Sequence, residues 1–176
     1  MPIHPFEGVW PTIHPQAFVH PDAVVIGQVE IGAESSVWPQ TVIRGDVNFI
    51  RIGARVNIQD GSILHVNRAR PGLPEGAPLI LEDDCTVAHG VILHACHLHK
   101  GAFVAMGAIV MDLAVIGEEA LVGAASLVSP GKQISPRTLW LGSPAVEKRP
   151  LREEEILANR ATCASYVALG QRYKGA

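Results

Sequence analysis

The sequence predicts an all-β solenoid, a parallel β-helix built from hexapeptide repeats. Aliphatic residues recur every six positions over 13–43, 52–64, 81–93 and 98–134, and a small residue follows most of them four positions later. A period of six fits neither an amphipathic helix nor a free-standing strand, and fixed repetition is typical of stacked repeat proteins. Nineteen inward positions, at three for each coil, predict about six coils.

The repeat is irregular at three places. Three extra residues near 47–49 predict a bulge, and the interval between Leu93 and Leu98 is one residue short. Residues 67–78 contain three prolines and two glycines without any period, which predicts an excursion loop on the surface. Histidines flank all three places, which indicates that the irregularities shape a site.

The chain is expected to contain two parts. Residues 1–145 form the β-helix domain, with the excursion loop near 67–78, and residues 146–176 form a carboxyl-terminal helix that packs on it. Pro150 and three following glutamates are typical of a first helical turn. The helix is expected to end by Gly170 or Gly175. Its predicted apolar stripe is Leu151, Ile156, Leu157, Ala161, Ala164, Val167 and Ala168.

Composition excludes several classes of function. The 176 residues are 48% apolar but only 5% aromatic, which suits one narrow aliphatic core. A net charge of −3 without a basic groove argues against nucleic-acid binding. The sequence has no secretory signal and no apolar run long enough to span a membrane, so a cytoplasmic protein with no membrane partner is expected. The three cysteines share no metal-ligand spacing and are expected to be reduced and structural.

Histidines supply the strongest chemical signal. Five of the eight lie between His65 and His99. His65 and His94 each follow an inward aliphatic residue directly, whereas His89 lies one place further along its repeat, on a different face. Three imidazoles with one open position are the ligand set of a catalytic zinc, and imidazole also binds iron, cobalt or copper.

Histidines on different faces of one coil diverge, so a single chain can hardly bring all three onto one ion. A threefold arrangement solves this problem, with His65 and His94 of one chain meeting His89 of the next. The sequence therefore predicts a homotrimer with a metal site at each subunit interface.

Three ordered motifs give a family resemblance. The runs Val42-Ile-Arg-Gly-Asp-Val, Asn57-Ile-Gln-Asp-Gly and Val87-Ala-His-Gly-Val-Ile-Leu-His are similar to the gamma-class carbonic anhydrases. The similarity covers essentially the whole chain, including Leu141-Gly-Ser-Pro-Ala and the terminal helix. It implies a left-handed β-helix, a homotrimer with intersubunit Zn²⁺, and reversible hydration of carbon dioxide to bicarbonate. The protein would be a zinc-dependent carbonate dehydratase, a lyase, with Fe²⁺ or Co²⁺ as other candidates for the same site.

The resemblance also implies roles for four residues near the histidines. Arg44 resembles an arginine that pairs across the subunit contact with an aspartate, matched here by Asp46. Gln59 resembles the glutamine that orients the attacking water, and Asp60 resembles the acid that holds an interface arginine. A purely interfacial ion pair is the other interpretation of Arg44 and Asp46.

The sequence departs from the strongly active branch of this family at two positions. Val47 and Arg68 stand where that branch has glutamates for proton transfer, and neither side chain can relay a proton near neutral pH. His97, His99 or Tyr166 could replace them, although the two histidines are better interpreted as ordinary solvent-facing side chains.

Three alternatives to a carbonic anhydrase remain open. Hexapeptide solenoids also include acyltransferases that use one histidine as a base and need no metal, and a metal-dependent acyl-CoA thioesterase is a related alternative. A non-catalytic trimeric scaffold is the third possibility. All of them require the same fold.

Overall fold

The computed structural model describes residues 3–175 and shows a left-handed parallel β-helix of about eight turns, followed by a carboxyl-terminal helix. Residues 1, 2 and 176, at the ends of the two predicted domains, lie outside the described residues. The division into two domains stays a prediction. Within residues 3–175, no helix combines the length and the apolar character needed to cross a bilayer.

The strands are short, as expected for hexapeptide repeats. They are β1 (Ile3–His4), β2 (Thr12–Ile13), β3 (Phe18–Val19), β4 (Val24–Ile31), β5 (Ser36–Val37), β6 (Val42–Ile52), β7 (Asn57–Ile58), β8 (Ile63–His65), β9 (Leu79–Leu81), β10 (Thr86–Val87), β11 (Ile92–His94), β12 (His97–Leu98), β13 (Phe103–Val104), β14 (Ile109–Val110), β15 (Val115–Ile116), β16 (Leu121–Val122), β17 (Leu127–Val128), β18 (Gln133–Ile134), β19 (Thr138–Leu141) and β20 (Val146–Pro150). The helix α1 covers Glu153–Lys174.

The strands stack into three flat faces. Face 1 contains β1, β4, β6, β8, β11, β14 and β17; face 2 contains β3, β5, β7, β10, β13, β16 and β19, with β20 added antiparallel; and face 3 contains β2, β4, β6, β9, β12, β15 and β18. The long strand β6 belongs to two faces because its first half pairs with β8 and its second half with β9.

The hexapeptide pattern fills the core as predicted. Every predicted inward aliphatic residue is buried except Ile13, which is partly buried. Several buried hydroxyls at the corners donate to carbonyls of the next coil, as Ser35 Oγ does to Gly53 O at 2.7 Å and Ser62 Oγ to Ala88 O at 3.1 Å. The structure has more turns than the predicted six, and β1 and β19 extend the stack beyond the regular repeat at its two ends, with Trp140 as the buried residue of β19.

The irregular places in the repeat are visible in the strand register. Gly27 pairs with Gly45 and Val29 with Ile50, so one residue of β4 faces the four residues 46–49 of β6. The 67–78 segment is joined at its base by a bridge between Asn67 and Ala77. Asn48 Nδ2 donates to Glu75 O at 2.9 Å, which connects the bulge to this loop.

The carboxyl-terminal part begins differently from the prediction. Pro150 ends β20 on the edge of face 2, where the missing N–H costs no ladder hydrogen bond, and it does not open the helix. The N-cap residue is Arg152, and its backbone N–H donates to the Glu155 carboxylate at 2.9 Å. The helix continues past Gly170 and has Gly175 as its C-cap.

The predicted apolar stripe of the helix was partly wrong. Leu157 is 54% exposed, and the buried helix residues are Ile156, Cys163 and Gly170. Gly170 allows a close approach to face 2, since an added Cβ would lie 3.2 Å from Ser36 Cβ. The contact geometry of face 2, and not hydrophobicity alone, therefore determines which side of α1 is buried.

The cysteines should be unreactive in the folded protein. Cys85, Cys96 and Cys163 are free and buried, and burial raises the pKa of each thiol, that of Cys163 to about 11. Because the thiolate is the nucleophile, iodoacetamide at pH 8 should leave all three unmodified in the native protein and should alkylate all three in denaturant. Intact-mass spectrometry over one hour tests this, and rapid native labelling of any thiol would contradict it.

Candidate metal centre

His65 and His94 lie side by side on face 1. In the register of β6, β8 and β11, Arg44 is opposite His65 and His65 is opposite His94. Each histidine follows a fully buried leucine, Leu64 or Leu93, so both rings point outward. Neighbouring rungs are about 4.8 Å apart, which is close enough for two imidazoles to share one ion.

The ring nitrogens of this pair are held in a defined arrangement. His65 Nδ1 lies 3.2 Å from His94 Nε2. On the outer sides, His65 Nε2 lies 3.0 Å from Asp46 Oδ1, and His94 Nδ1 contacts Asp112 Oδ1. Ionised carboxylates only accept hydrogen bonds, so they hold the ring protons on the two outer nitrogens. The two inner nitrogens then face each other with lone pairs.

This arrangement fits a divalent metal ion. Zn–N bonds of 2.0–2.1 Å in a tetrahedral site separate two ligand nitrogens by about 3.3 Å, close to the distance between the inner nitrogens. Metal-bound histidines commonly donate their other N–H to a carboxylate, as both rings do here. Burial lowers the pKa of His65 and outweighs its hydrogen bond to Asp46, so a proton is poorly suited to bridge the two rings.

The carboxylates behind the histidines are themselves held in place. Partial burial raises the pKa of Asp46, but hydrogen bonds from Arg44 and His65 outweigh it and keep the pKa below its usual value. Arg44 pairs with Asp46 within one chain, whereas the resemblance implies a pairing across subunits. Asn67 donates to Asp112, and Arg70 lies 3.6 Å from the same carboxylate. The bulge and the 67–78 loop thus support the histidine pair.

His89 lies elsewhere in the chain. It follows β10 on face 2, is about half exposed, and has Nδ1 2.9 Å from Asp60 Oδ2. Within residues 3–175, His65, His89 and His94 do not form a group close enough to hold one ion. A single chain therefore brings together two of the three predicted ligands.

Gln59 is buried and fixed by a chain of hydrogen bonds on face 2. Its Nε2 donates to Asn57 Oδ1 at 2.9 Å, and Asn57 Nδ2 donates to Thr86 Oγ1 at 2.9 Å. With its nitrogen engaged, the amide of Gln59 presents its carbonyl oxygen as an acceptor. Asp60, the next residue, is the partner of His89.

The two positions that lack a glutamate and the three candidate replacements for proton transfer lie in different parts of the structure. Val47, on the bulge, and Arg68, in the 67–78 loop, are exposed. Tyr166 of α1 packs edge-on against Trp38, with ring centroids 5.5 Å apart. Burial and the nearby charge of Asp60 raise the pKa of the Tyr166 phenol, so it stays protonated at neutral pH. His97 and His99 lie on face 3 and share a hydrogen-bond partner, Glu82.

Sequence reasoning missed Asp112 and Glu82, and it assigned no role to Asn57 of the Asn57-Ile-Gln-Asp-Gly motif. The signal for Asp112 was present, because it follows His94 by 18 residues, the length of one regular coil. The same reasoning brings Glu82, 17 residues before His99, next to that histidine. For both residues, the signal in the sequence is the spacing of one coil between contacting residues, and not a local motif.

A column of exposed aliphatic side chains borders the histidine pair. Register pairing aligns one outward residue from each of five strands of face 1, and the three central ones are 37–45% exposed. The column consists of Val42, Ile63, Ile92, Ile109 and Leu127. Contiguous exposed apolar side chains are typical of protein interaction surfaces.

A cleft of about 400 Å³ lies away from these residues. It lies between α1 and part of face 2, and its lining includes Arg55, Lys100, Phe103, Arg160 and Cys163. It contains none of the predicted site residues. The histidine pair instead lies on the open surface of face 1.

The fold and the paired histidines define a hexapeptide-repeat protein with a candidate metal centre. Residues 11–45 match the family model described as bacterial transferase hexapeptide (six repeats). The crystal structure of the BC4754 gene product of Bacillus cereus superimposes with a TM-score of 0.92 at 47% identity, covering 98% of this chain and 96% of that one.

Curated relatives include proteins named as carbonic anhydrases. A carbonic anhydrase of Geobacillus kaustophilus (strain HTA426) is 48% identical over 172 residues, covering 98% of this chain and 91% of that protein. The mitochondrial gamma carbonic anhydrase 2 of Arabidopsis thaliana is 38% identical over 161 residues, covering 92% and 58%. The chain therefore belongs to the gamma-class carbonic anhydrase family.

Proposed function

We propose that this protein is a zinc-dependent carbonic anhydrase that interconverts carbon dioxide and bicarbonate. The observation that carries the proposal is the His65–His94 pair, with inner nitrogens 3.2 Å apart and both outer nitrogens on carboxylates. His89 of a neighbouring subunit would supply the third ligand in a homotrimer. The cytoplasmic location stays a prediction.

The aliphatic column on face 1 supports the trimer. It runs along the same face as His65 and His94, so covering it with a second subunit would bury apolar surface beside the metal ligands. His89 lies at the end of a face 2 strand, just before the chain turns into β11 of face 1. A neighbouring copy can present this exposed corner to the histidine pair.

The residues of this chain have distinct tasks in the proposed reaction. Zinc, when bound, lowers the pKa of water at its open position to about 7 in carbonic anhydrases. Gln59 of the subunit that supplies His89 would orient this water through its carbonyl oxygen, because Asn57 fixes the amide. Asp46 and Asp112 hold the proton on the outer nitrogen of each ligating ring. Arg44 holds Asp46 ionised.

Carbon dioxide hydration should be slow and limited by proton transfer. Val47 and Arg68 leave no relay at the two glutamate positions, so small imidazole buffers should raise turnover in stopped-flow assays. Val47→Glu with Arg68→Glu should raise it at least about tenfold and reduce the buffer dependence. Val146→Glu with Arg172→Glu, which makes the same charge change at other exposed positions, should have no effect. Fast, buffer-independent wild-type turnover would contradict a proton-transfer limit.

The same preparation distinguishes the alternatives. The matched family model carries the name of transferases, so acyl-CoA hydrolysis and acyl transfer should be assayed on zinc-loaded protein alongside carbon dioxide hydration. Zinc-dependent hydration alone supports the proposal. Acyl-CoA turnover without hydration would replace it with a thioesterase or acyltransferase, and a trimer that is inactive in all three assays would indicate a scaffold.

A further inference from the structure

Glu82, His97 and His99 form a second cluster of metal-ligating side chains, on face 3. His97 and His99 flank the buried Leu98, so both rings point outward from the same face. Glu82 follows Leu81, which is the register partner of Leu98 on the neighbouring coil. The cluster therefore comes from two adjacent rungs, on a different face from His65 and His94.

The carboxylate of Glu82 is oriented toward both rings. Its Oε1 lies 2.9 Å from His97 Nε2 and 2.9 Å from His99 Nδ1, while its Oε2 accepts the Lys100 backbone N–H at 3.0 Å. One ligand atom from each of the three side chains lies within 4.8 Å of the other two. This is a compact three-donor set built within one chain.

We propose that Glu82, His97 and His99 bind a divalent transition-metal cation such as Zn²⁺ or Co²⁺, independently of the proposed function. Two imidazoles and one carboxylate are an established donor set for such ions. To bind the metal, the ring nitrogen that faces Glu82 must lose its proton, which moves to the other nitrogen of the same ring. Solvent can exchange these protons because the side chains of His97 and His99 are 33% and 40% exposed. Three protein donors leave a coordination position open to water.

The charges around the cluster favour a cation. Burial raises the pKa of Glu82, but hydrogen bonds from His97, the Lys100 N–H and His99 outweigh it and hold the pKa below its usual value. Within residues 3–175, the two imidazoles are the only ion-pair partners of Glu82, and the Lys100 ammonium lies 3.9 Å from Asp84. Glu82 is thus ionised at neutral pH, and the described basic side chains leave it available to a metal.

Metal counting on the full-length protein tests this site. After equilibration with excess Zn²⁺ and removal of free ion, Glu82→Gln, His97→Gln and His99→Gln should each contain about one zinc per chain less than wild type. His4→Gln, which removes an exposed imidazole elsewhere, should keep the wild-type content. Equal zinc content in all four variants and wild type would overturn the proposal.

A variant without the two histidine ligands of face 1 distinguishes zinc bound on face 3 from zinc bound on face 1. Chains with His65→Ala and His94→Ala should still bind about one zinc each, and zinc should raise their melting temperature. Adding Glu82→Gln should remove both the ion and the shift. A zinc-free His65→Ala, His94→Ala chain would show that face 3 holds only a hydrogen-bonded cluster. Circular dichroism confirms that each variant is folded.

Discussion

Zinc binding on face 1 should be lost in His89→Ala and in His94→Ala chains, and partly restored when the two are mixed. In the proposed trimer each site takes His65 and His94 from one subunit and His89 from the next, so random trimers from equal amounts of the two chains should have about one quarter of their sites intact. Co-refolding followed by zinc analysis measures this recovery. All chains should also carry Glu82→Gln, so that ions on face 3 are not counted.

A matched mixture provides the control. His65→Ala and His94→Ala damage the same half of the site, because both ligands come from one chain and are register partners. No arrangement of these two chains restores a complete ligand set, so their mixture should recover no zinc. Equal recovery in both mixtures, or full zinc in either single variant, would disprove the intersubunit assignment.

Leu79→Ala should be among the most destabilising single substitutions in the chain. Leu79 is fully buried in β9, where it pairs with Ile50 at the base of the 67–78 loop. Truncating a buried leucine costs about 2–5 kcal/mol through lost burial and the cavity that remains. In a solenoid each coil contacts only its neighbours, so adjacent coils lose packing with it.

Leu157→Ala is the control for this loss, because it makes the same change at a side chain that is 54% exposed. Its effect should stay within about 0.5 kcal/mol. Urea denaturation at one fixed protein concentration compares the two, since subunit association would make the midpoint depend on concentration. Equal midpoints for the two variants would contradict the assignment of Leu79 to the core.

The sequence alone determined the coil and its interruptions. The six-residue period is a local property of the sequence. The position of an aliphatic residue such as Ile58 or Ile116 within its own repeat determines that its side chain points inward. A bulge near 47–49 was predicted for the same reason, since an insertion shifts the spacing wherever it occurs, and the structure has it at 46–49. The outward direction of His65 and His94 followed from their place directly after an inward leucine.

Only the tertiary structure decided which outward side chains meet. Asp112 reaches His94, and Glu82 reaches His99, across stacked coils, so these contacts depend on coil length and side-chain conformation and not on neighbours in sequence. The buried side of α1 depended on the shape of face 2 at Ser36. Hydrophobic periodicity specifies which residues face inward, whereas polar contacts on the surface are made between distant residues that only the completed stack brings together.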